Sequence, residues 1–401
     1  MPSRPPLGAV LTATFFVRFA FGITVAIFAA YITHRSTGLS GADVGTAGLV
    51  SALAPVGEFS TVLFSGAAAD RWGRFPVLFA GMAGAAALFL AISVTRSVAA
   101  LGAANLAFGV ASGAILAASL AVVADRAALD ARGYEMGRFD AMNLFGWIAG
   151  VAFGLGLEGA VPNSRLGAAF LVGSAVILVG LSAAIWLLHG QVVDRGPPAF
   201  HFGRIVRMAF RRTVLVVTLP WLAIYSLLGT ALVFLGPAAA GIGIRPGYLA
   251  GAIAAGGSLL VLSQPYFGRL ADRAGRTKMM TVGAGGFVLV LLCASLLVRY
   301  GVSIPLLVGV AVGVALALAY GPAALAALAD LATEQGRATT MAIYSLTISL
   351  GMVVGLVAST TLYGRFGTFG LYPYFGAIAA VLVVFTAVRW IETARAKIPV
   401  R

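Results

Sequence analysis

The chain has 401 residues, of which 60% are apolar and only 10% charged, with a mean hydropathy of +1.00. Water-soluble domains carry about 25% charged residues, so the composition excludes a soluble globular protein and points to a chain that crosses a lipid bilayer many times. The net charge of +14 must then be sorted by membrane side before a nucleic-acid partner is considered, and the single cysteine, Cys293, excludes an intramolecular disulfide.

A helix needs about 20 apolar residues to cross the hydrocarbon core. Runs of that kind fall near 8–32, 44–66, 75–95, 98–124, 135–160 and 164–188, and again near 214–237, 247–268, 279–298, 302–329, 338–362 and 372–391. The first is too long for the apolar region of a cleaved signal and reads as a retained span. A basic, amphipathic connector at 189–213 separates two sets of six spans, giving bundles at 1–188 and 214–401. The 51 glycines fit closely packed membrane helices.

Basic residues sort by side. With the N-terminus inside, 20 Lys and Arg fall in cytoplasmic segments and six on the other face, and Arg18 stays within the first span. That asymmetry puts both termini in the cytoplasm of an inner, cytoplasmic membrane. It also explains the high net charge, so no nucleic-acid partner is expected.

The two sets of spans repeat. "GAAADRWGRF" at 66–75 returns as "GRLADRAGRT" at 268–277, and "RGYEMGRFDAMNLFGWIAG" at 132–150 returns as "RATTMAIYSLTISLGMVVG" at 337–355. Asp125 closes the fourth span and Asp330 the tenth, at the same offset as the second match. Parallel repeats of this kind place a binding site at their interface near mid-membrane.

Twelve spans in two repeats, with G-x-x-x-D-R-x-G-R after span 2 and again after span 8, resemble the major facilitator superfamily over essentially the whole chain. The resemblance implies an all-α membrane fold of two pseudo-symmetric six-helix bundles. It further implies that Gly66, Asp70, Gly73, Arg74 and Asp125, with Asp272, Arg276 and Asp330 in the second half, latch the bundles in an outward-facing state. Gly66 would allow close helix approach and Gly73 a tight turn. Asp70 would face a helix N-terminus of the other half, and Arg74 would pair with Asp125. Spans 1, 4, 7 and 10 line the cavity in this family, which makes Arg18, Asn105, Trp221, Tyr225 and Tyr320 the substrate-cavity candidates. Two departures stand out. Asn105 occupies the position of an Arg that many drug–proton antiporters carry in span 4, and "GWIAGVAFGLG" in span 5 lacks their G-P-x-x-G-G. Gly146, Gly150, Gly154 and Gly156 of that segment read as a close-packing face.

Two ionisable residues stand within the apolar runs, Arg18 and Glu58. At 1.5 Å per residue they lie roughly 15 and 12 Å from the same membrane face, so a pair is geometrically allowed. Three readings stay open: a static ion pair, Glu58 as a proton carrier with Arg18 modulating it, and Arg18 as anchor for an anionic substrate. Burial favours the neutral carboxyl and a nearby guanidinium the ionised one. Asp140, early in span 5, is expected to pair locally with Arg138. The expected function is secondary active transport of a small molecule by alternating access, proton-coupled and directed to efflux of hydrophobic compounds. Import of a sugar or organic acid and a non-transporting sensor are the alternatives. The expected partners are the substrate, protons and lipid; a monomer with no cofactor, metal or enzymatic activity is expected.

Overall fold

A computed structural model describes residues 7–33, 44–128, 131–188, 207, 210–241, 246–300, 303–331, 337–366 and 371–395. Thirteen α-helices form among them: α1 (Leu7–Thr33), α2 (Val44–Trp72), α3 (Arg74–Val94), α4 (Val98–Arg126), α5 (Arg132–Ala160), α6 (Ala168–Leu188), α7 (Arg212–Gly241), α8 (Pro246–Ala274), α9 (Arg276–Tyr300), α10 (Ile304–Ala317), α11 (Tyr320–Leu331), α12 (Arg337–Phe366) and α13 (Leu371–Arg395). Counting α10 and α11 as one, ten of these rods are long and apolar enough to cross a bilayer. With α8 and α13 the chain has twelve transmembrane spans in two six-helix bundles. The connector at 189–213 lies largely outside the described residues.

In the first bundle α1 packs on α5 and α6, while α2 and α3 pack on α4. In the second, α7 packs on α12, and α9 on α10 and α13. Two seams join the bundles, α5 against α8 and α2 against α12. Membrane helices gain little from hydrophobic exclusion and associate through close van der Waals contact, which small residues permit. The seam helix α5 shows this on two faces. Gly146, Gly150 and Gly154 meet Phe15, Phe19 and Ile23 of α1, whereas Gly133 and Gly137 meet Gly268 and Gln264 of α8. Gly156 does not belong to that packing face: nothing lies within 4 Å of where its Cβ would be.

The segment GAAADRW, which begins at the expected end of span 2 at 66, forms the last two turns of α2, and only Gly73 interrupts the chain before α3. Gly73 and its repeat mate Gly275 have φ of 100° and 95°. That conformation is open to glycine at little cost and lets two long helices meet with a single residue between them. The tenth span, expected as one helix, breaks at Leu318–Ala319. Pro322 has no N–H to donate to the Leu318 carbonyl and its ring crowds that oxygen, so the helix cannot continue through it.

One core lies between the bundles at the arginine-rich face. Val10, Leu116, Leu120, Val122–Ala124, Met136 and Phe139 of the first bundle share one buried cluster with Trp221, Tyr320, Ala323–Leu325, Leu328, Ala329, Met341, Ile343 and Tyr344 of the second. At this face the bundles are closed on each other.

Candidate transport site and interbundle contacts

At the closed face, charged residues at helix ends meet across the bundles. In the second bundle Asp272, in the last turn of α8, accepts hydrogen bonds from the Gly133 and Tyr134 N–H groups at 2.9 and 3.0 Å. Those are free donors of the first turn of α5, where the helix dipole favours an anion. Arg132, at the start of α5, reaches Asp330 at the end of α11 at 2.9 Å. Asp330 also pairs with Arg276, which lies 3.6 Å from Asp272. One network of two arginines and two aspartates therefore spans both bundles. In the first bundle Arg74 pairs with Asp125 at 2.8 Å and approaches Asp70 at 3.9 Å. By the repeat, Asp70 is the mate of Asp272, and its counterpart helix start is α12 at Arg337, whose first side chains lie outside the described residues. Gly66 is buried in α2, and its mate Gly268 lies against the Gly133 backbone. Arg132 was legible only as a basic loop residue, although its register with Arg337 in the repeat marks it as part of this layer.

Above this layer lies a cavity of about 50 Å³. It is lined by Arg18 and Phe21 of α1, Pro55 and Glu58 of α2, and Asn143, Leu144 and Trp147 of α5. From the other bundle come Tyr225 and Leu228 of α7 with Ile348, Ser349 and Met352 of α12. Small-molecule pockets usually measure about 300–1,000 Å³, so this conformation is contracted and holds room for a few waters only. Arg18 and Glu58 are 8% and 5% exposed. They border the same cavity, but no ion pair within 4.0 Å joins them among the described residues. Arg18 lies 5.6 Å from the centre of the Phe21 ring. Glu58 accepts a hydrogen bond from the Ser345 hydroxyl of α12, across the seam. Gly113 of α4 makes room for it, since a Cβ there would come within 3.2 Å of the Glu58 side chain.

Of the other cavity candidates, only Tyr225 lines the cavity. Trp221 stands behind it with its ring 4.5 Å from that of Tyr344, and Tyr320 donates to the Val217 carbonyl at 2.9 Å. Asn105 is placed elsewhere. It is 1% exposed and its amide donates to the carbonyls of Val50 and Ser51 at 2.8 and 3.4 Å. Pro55 within α2 leaves the Ser51 carbonyl without its helical donor, and a neighbouring helix must supply another. Asn105 is therefore a patch on a proline-interrupted helix.

Asp140 also departs from expectation. Residues two apart on a helix do not face each other, and Arg138 pairs instead with Glu135 at 3.0 Å. Asp140 turns into the interface, 4% exposed, where the Tyr344 hydroxyl donates to it at 3.2 Å. Asn143, one turn on, adds its amide to the polar groups around it. Two carboxylates of the first bundle thus meet two consecutive residues of α12, Asp140 with Tyr344 and Glu58 with Ser345.

Among known proteins, the family model described as Major Facilitator Superfamily matches residues 10–262 and 208–400. No curated protein matches the sequence. Among solved structures, the human organic anion transporter MFSD10 (TETRAN) superposes with a TM-score of 0.76 at 18% identity, covering 96% of this chain and 98% of that one. A mutant of the peptide transporter POT, in complex with sulfate, gives 0.70 at 16% identity over 97% and 94%. At such identities the likeness is one of fold. The family match runs from the first span to the last and agrees with the two-bundle architecture: the chain belongs to the major facilitator superfamily, a family of membrane transporters.

Proposed function

We propose that this transporter is driven by protons, with Glu58 as the proton carrier, and exports small hydrophobic compounds as a monomer. One observation carries the reading. Glu58 is at once a wall of the cavity and a partner of the opposite bundle, through Ser345. A group that touches both the ligand space and the moving contact can link a change at one to a change at the other. The ionised carboxyl accepts the stronger, charge-assisted bond from Ser345; protonation weakens that bond and favours separation of α2 from α12. The arginine-rich face, with both termini, is assigned to the cytoplasm of the inner membrane. The Asp272 contact to α5, with the Arg132–Asp330 pair and its first-bundle counterpart, then serves as the cytoplasmic latch.

A second reading is favoured by Arg18. More than nine-tenths buried, it borders the cavity and has no carboxylate within 4.0 Å among the described residues. A guanidinium so placed suits a carboxylate or phosphate on the substrate, and one fold neighbour is an organic anion transporter. Reconstitution with an imposed pH gradient, against a panel of lipophilic cations, sugars and lipophilic carboxylates, separates the two. Glu58→Gln is expected to abolish gradient-driven flux while the protein stays folded. Normal gradient-driven flux by that variant rejects the carrier role, and flux confined to carboxylates selects the second reading.

A further inference from the structure

Asp140 is the buried acid that the transport reading leaves unused. It does not line the cavity, yet it is connected to it. The Tyr344 hydroxyl has one proton, and that proton points to Asp140 at 3.2 Å. The Tyr225 hydroxyl lies 3.5 Å from the Tyr344 hydroxyl, so with the Tyr344 proton committed, Tyr225 must be the donor of that contact. Tyr225 is itself a cavity wall. A chain of two phenols therefore runs from the cavity to a carboxylate embedded in the seam. The groups facing Asp140 come from every helix around it. Tyr344 approaches from α12, Tyr225 from α7 and Asn143 from its own helix. The Arg18 charge acts on it from α1. Gly321 of α11 and Gln264 of α8 complete the wall, for a Cβ at Gly321 would lie 2.9 Å from Asp140 Oδ2 and 3.6 Å from Gln264 Oε1.

We infer that Asp140 is a second proton-exchange site of the transport cycle, filled from the cavity through Tyr225 and Tyr344, and that α12 senses both carboxylates through the adjacent residues Tyr344 and Ser345. This rests on the proton-coupled reading above. The transfer balances. A hydronium in the cavity gives a proton to Tyr225 as Tyr225 gives its own to Tyr344 and Tyr344 gives its own to Asp140, leaving water. Each phenol ends protonated and Asp140 ends neutral. Its bond from Tyr344 then loses its charge assistance, at the same helix that Glu58 releases when neutral. Opening of the arginine-rich face is thus favoured by two protons, one on each seam.

The test needs no substrate. The full chain, with Cys293→Ser and spin labels at Arg71→Cys and Arg273→Cys, is placed in nanodiscs and its label distance followed as pH falls. Both label sites are exposed, at the ends of α2 and α8. The slope of the open-to-closed ratio counts the protons taken up, about a hundredfold per pH unit for two and tenfold for one. The unaltered carboxylates are expected to give the steep slope, and Asp140→Asn, which keeps the hydrogen bond from Tyr344, the shallow one. Tyr344→Phe keeps the acid but removes the hydroxyl through which α12 senses its charge, so it too should give the shallow slope, with a larger open fraction at neutral pH. An Asp140→Asn curve as steep as that of the parent overturns the inference, even if it is displaced, because displacement alone is what a purely structural role would produce. A Glu58→Gln curve that superimposes on the parent instead rejects the Glu58 carrier and leaves the Asp140 result to be read on its own.

Discussion

At the scale of single residues, the cavity is defined by what Arg18 does not touch. A buried pair with one partner removed commonly costs ~3–5 kcal/mol, because a charge is left uncompensated. Arg18 has no such partner among the described residues, and its compensation comes from the Phe21 ring and the fields of Asp140 and the cavity. Arg18→Gln should therefore leave thermal unfolding of the purified protein close to that of the parent. If Arg18 holds the substrate's anion, the loss of one charge-assisted contact, ~1.5–3 kcal/mol, lowers affinity for a lipophilic carboxylate by roughly ten- to a hundredfold. Calorimetric titration beside a melting curve separates these effects, and a collapse of the melting temperature with unchanged affinity rejects the anchor. The sequence made Arg18 and Glu58 visible because charge in an apolar run is rare. It concealed Asp140, which sits beside a charged loop and looks solvated until the helix is built and turned. Asn105 was misread for a related reason. The demand it meets is created by Pro55, fifty residues earlier, and only the packing of α4 on α2 brings them together.

Among the elements, α5 carries the most information. Nine positions separate Gly137 from Gly146, and nine steps of a helix with 3.6 residues per turn reverse its face. The glycines at 146, 150 and 154 therefore fix α5 within its own bundle, and those at 133 and 137 meet the other bundle. The two sets should respond differently to one added methyl. Gly150→Ala forces α1 from α5, an overpacking cost of ~1–3 kcal/mol that lowers thermal stability. Gly137→Ala presses on Gln264 and Pro265 of α8, a contact that opening relieves, so it should raise the open fraction while leaving the melting temperature nearly unchanged. Gly156→Ala, with free space around it, should do neither. Equal losses of stability in the first two would show that the seam is permanent. Span count and chain order were legible from hydropathy alone, because crossing a bilayer imposes a minimum length. Helix ends were not: α2 and α8 run past the apolar stretch through the Asp-Arg signature, whose small residues are compatible with helix up to the positive-φ glycine. The break in the tenth span could have been read from Gly321–Pro322, and hydropathy is blind to it.

For the whole molecule, the repeat places matching charged clusters at the ends of α2 and α8, both at the arginine-rich face. The second-bundle aspartate, Asp272, binds two backbone N–H groups of the opposite bundle, while Arg132 adds a cross-bundle ion pair to Asp330. These contacts lie at the arginine-rich face, so they stabilise the closed arrangement of that face and no other. Neutralising Asp272 keeps its shape but removes the anion from the helix N-terminus, a loss of ~1–2 kcal/mol in a partly buried site. Asp272→Asn should thus shift the closed-to-open ratio about five- to thirtyfold toward open. A cysteine placed at Ser349, in the cavity wall, reports the shift in a Cys293→Ser background. With the arginine-rich face cytoplasmic, as proposed, a membrane-impermeant thiol reagent outside inside-out vesicles reaches it only when that face opens. Its alkylation should accelerate by the same factor in Asp272→Asn, and slow for reagent supplied from the opposite face. Acceleration from both faces would indicate loosened packing instead of a shifted equilibrium. Unchanged rates would show that the apolar cluster shared by α4, α5, α11 and α12 closes the face without help from the charges.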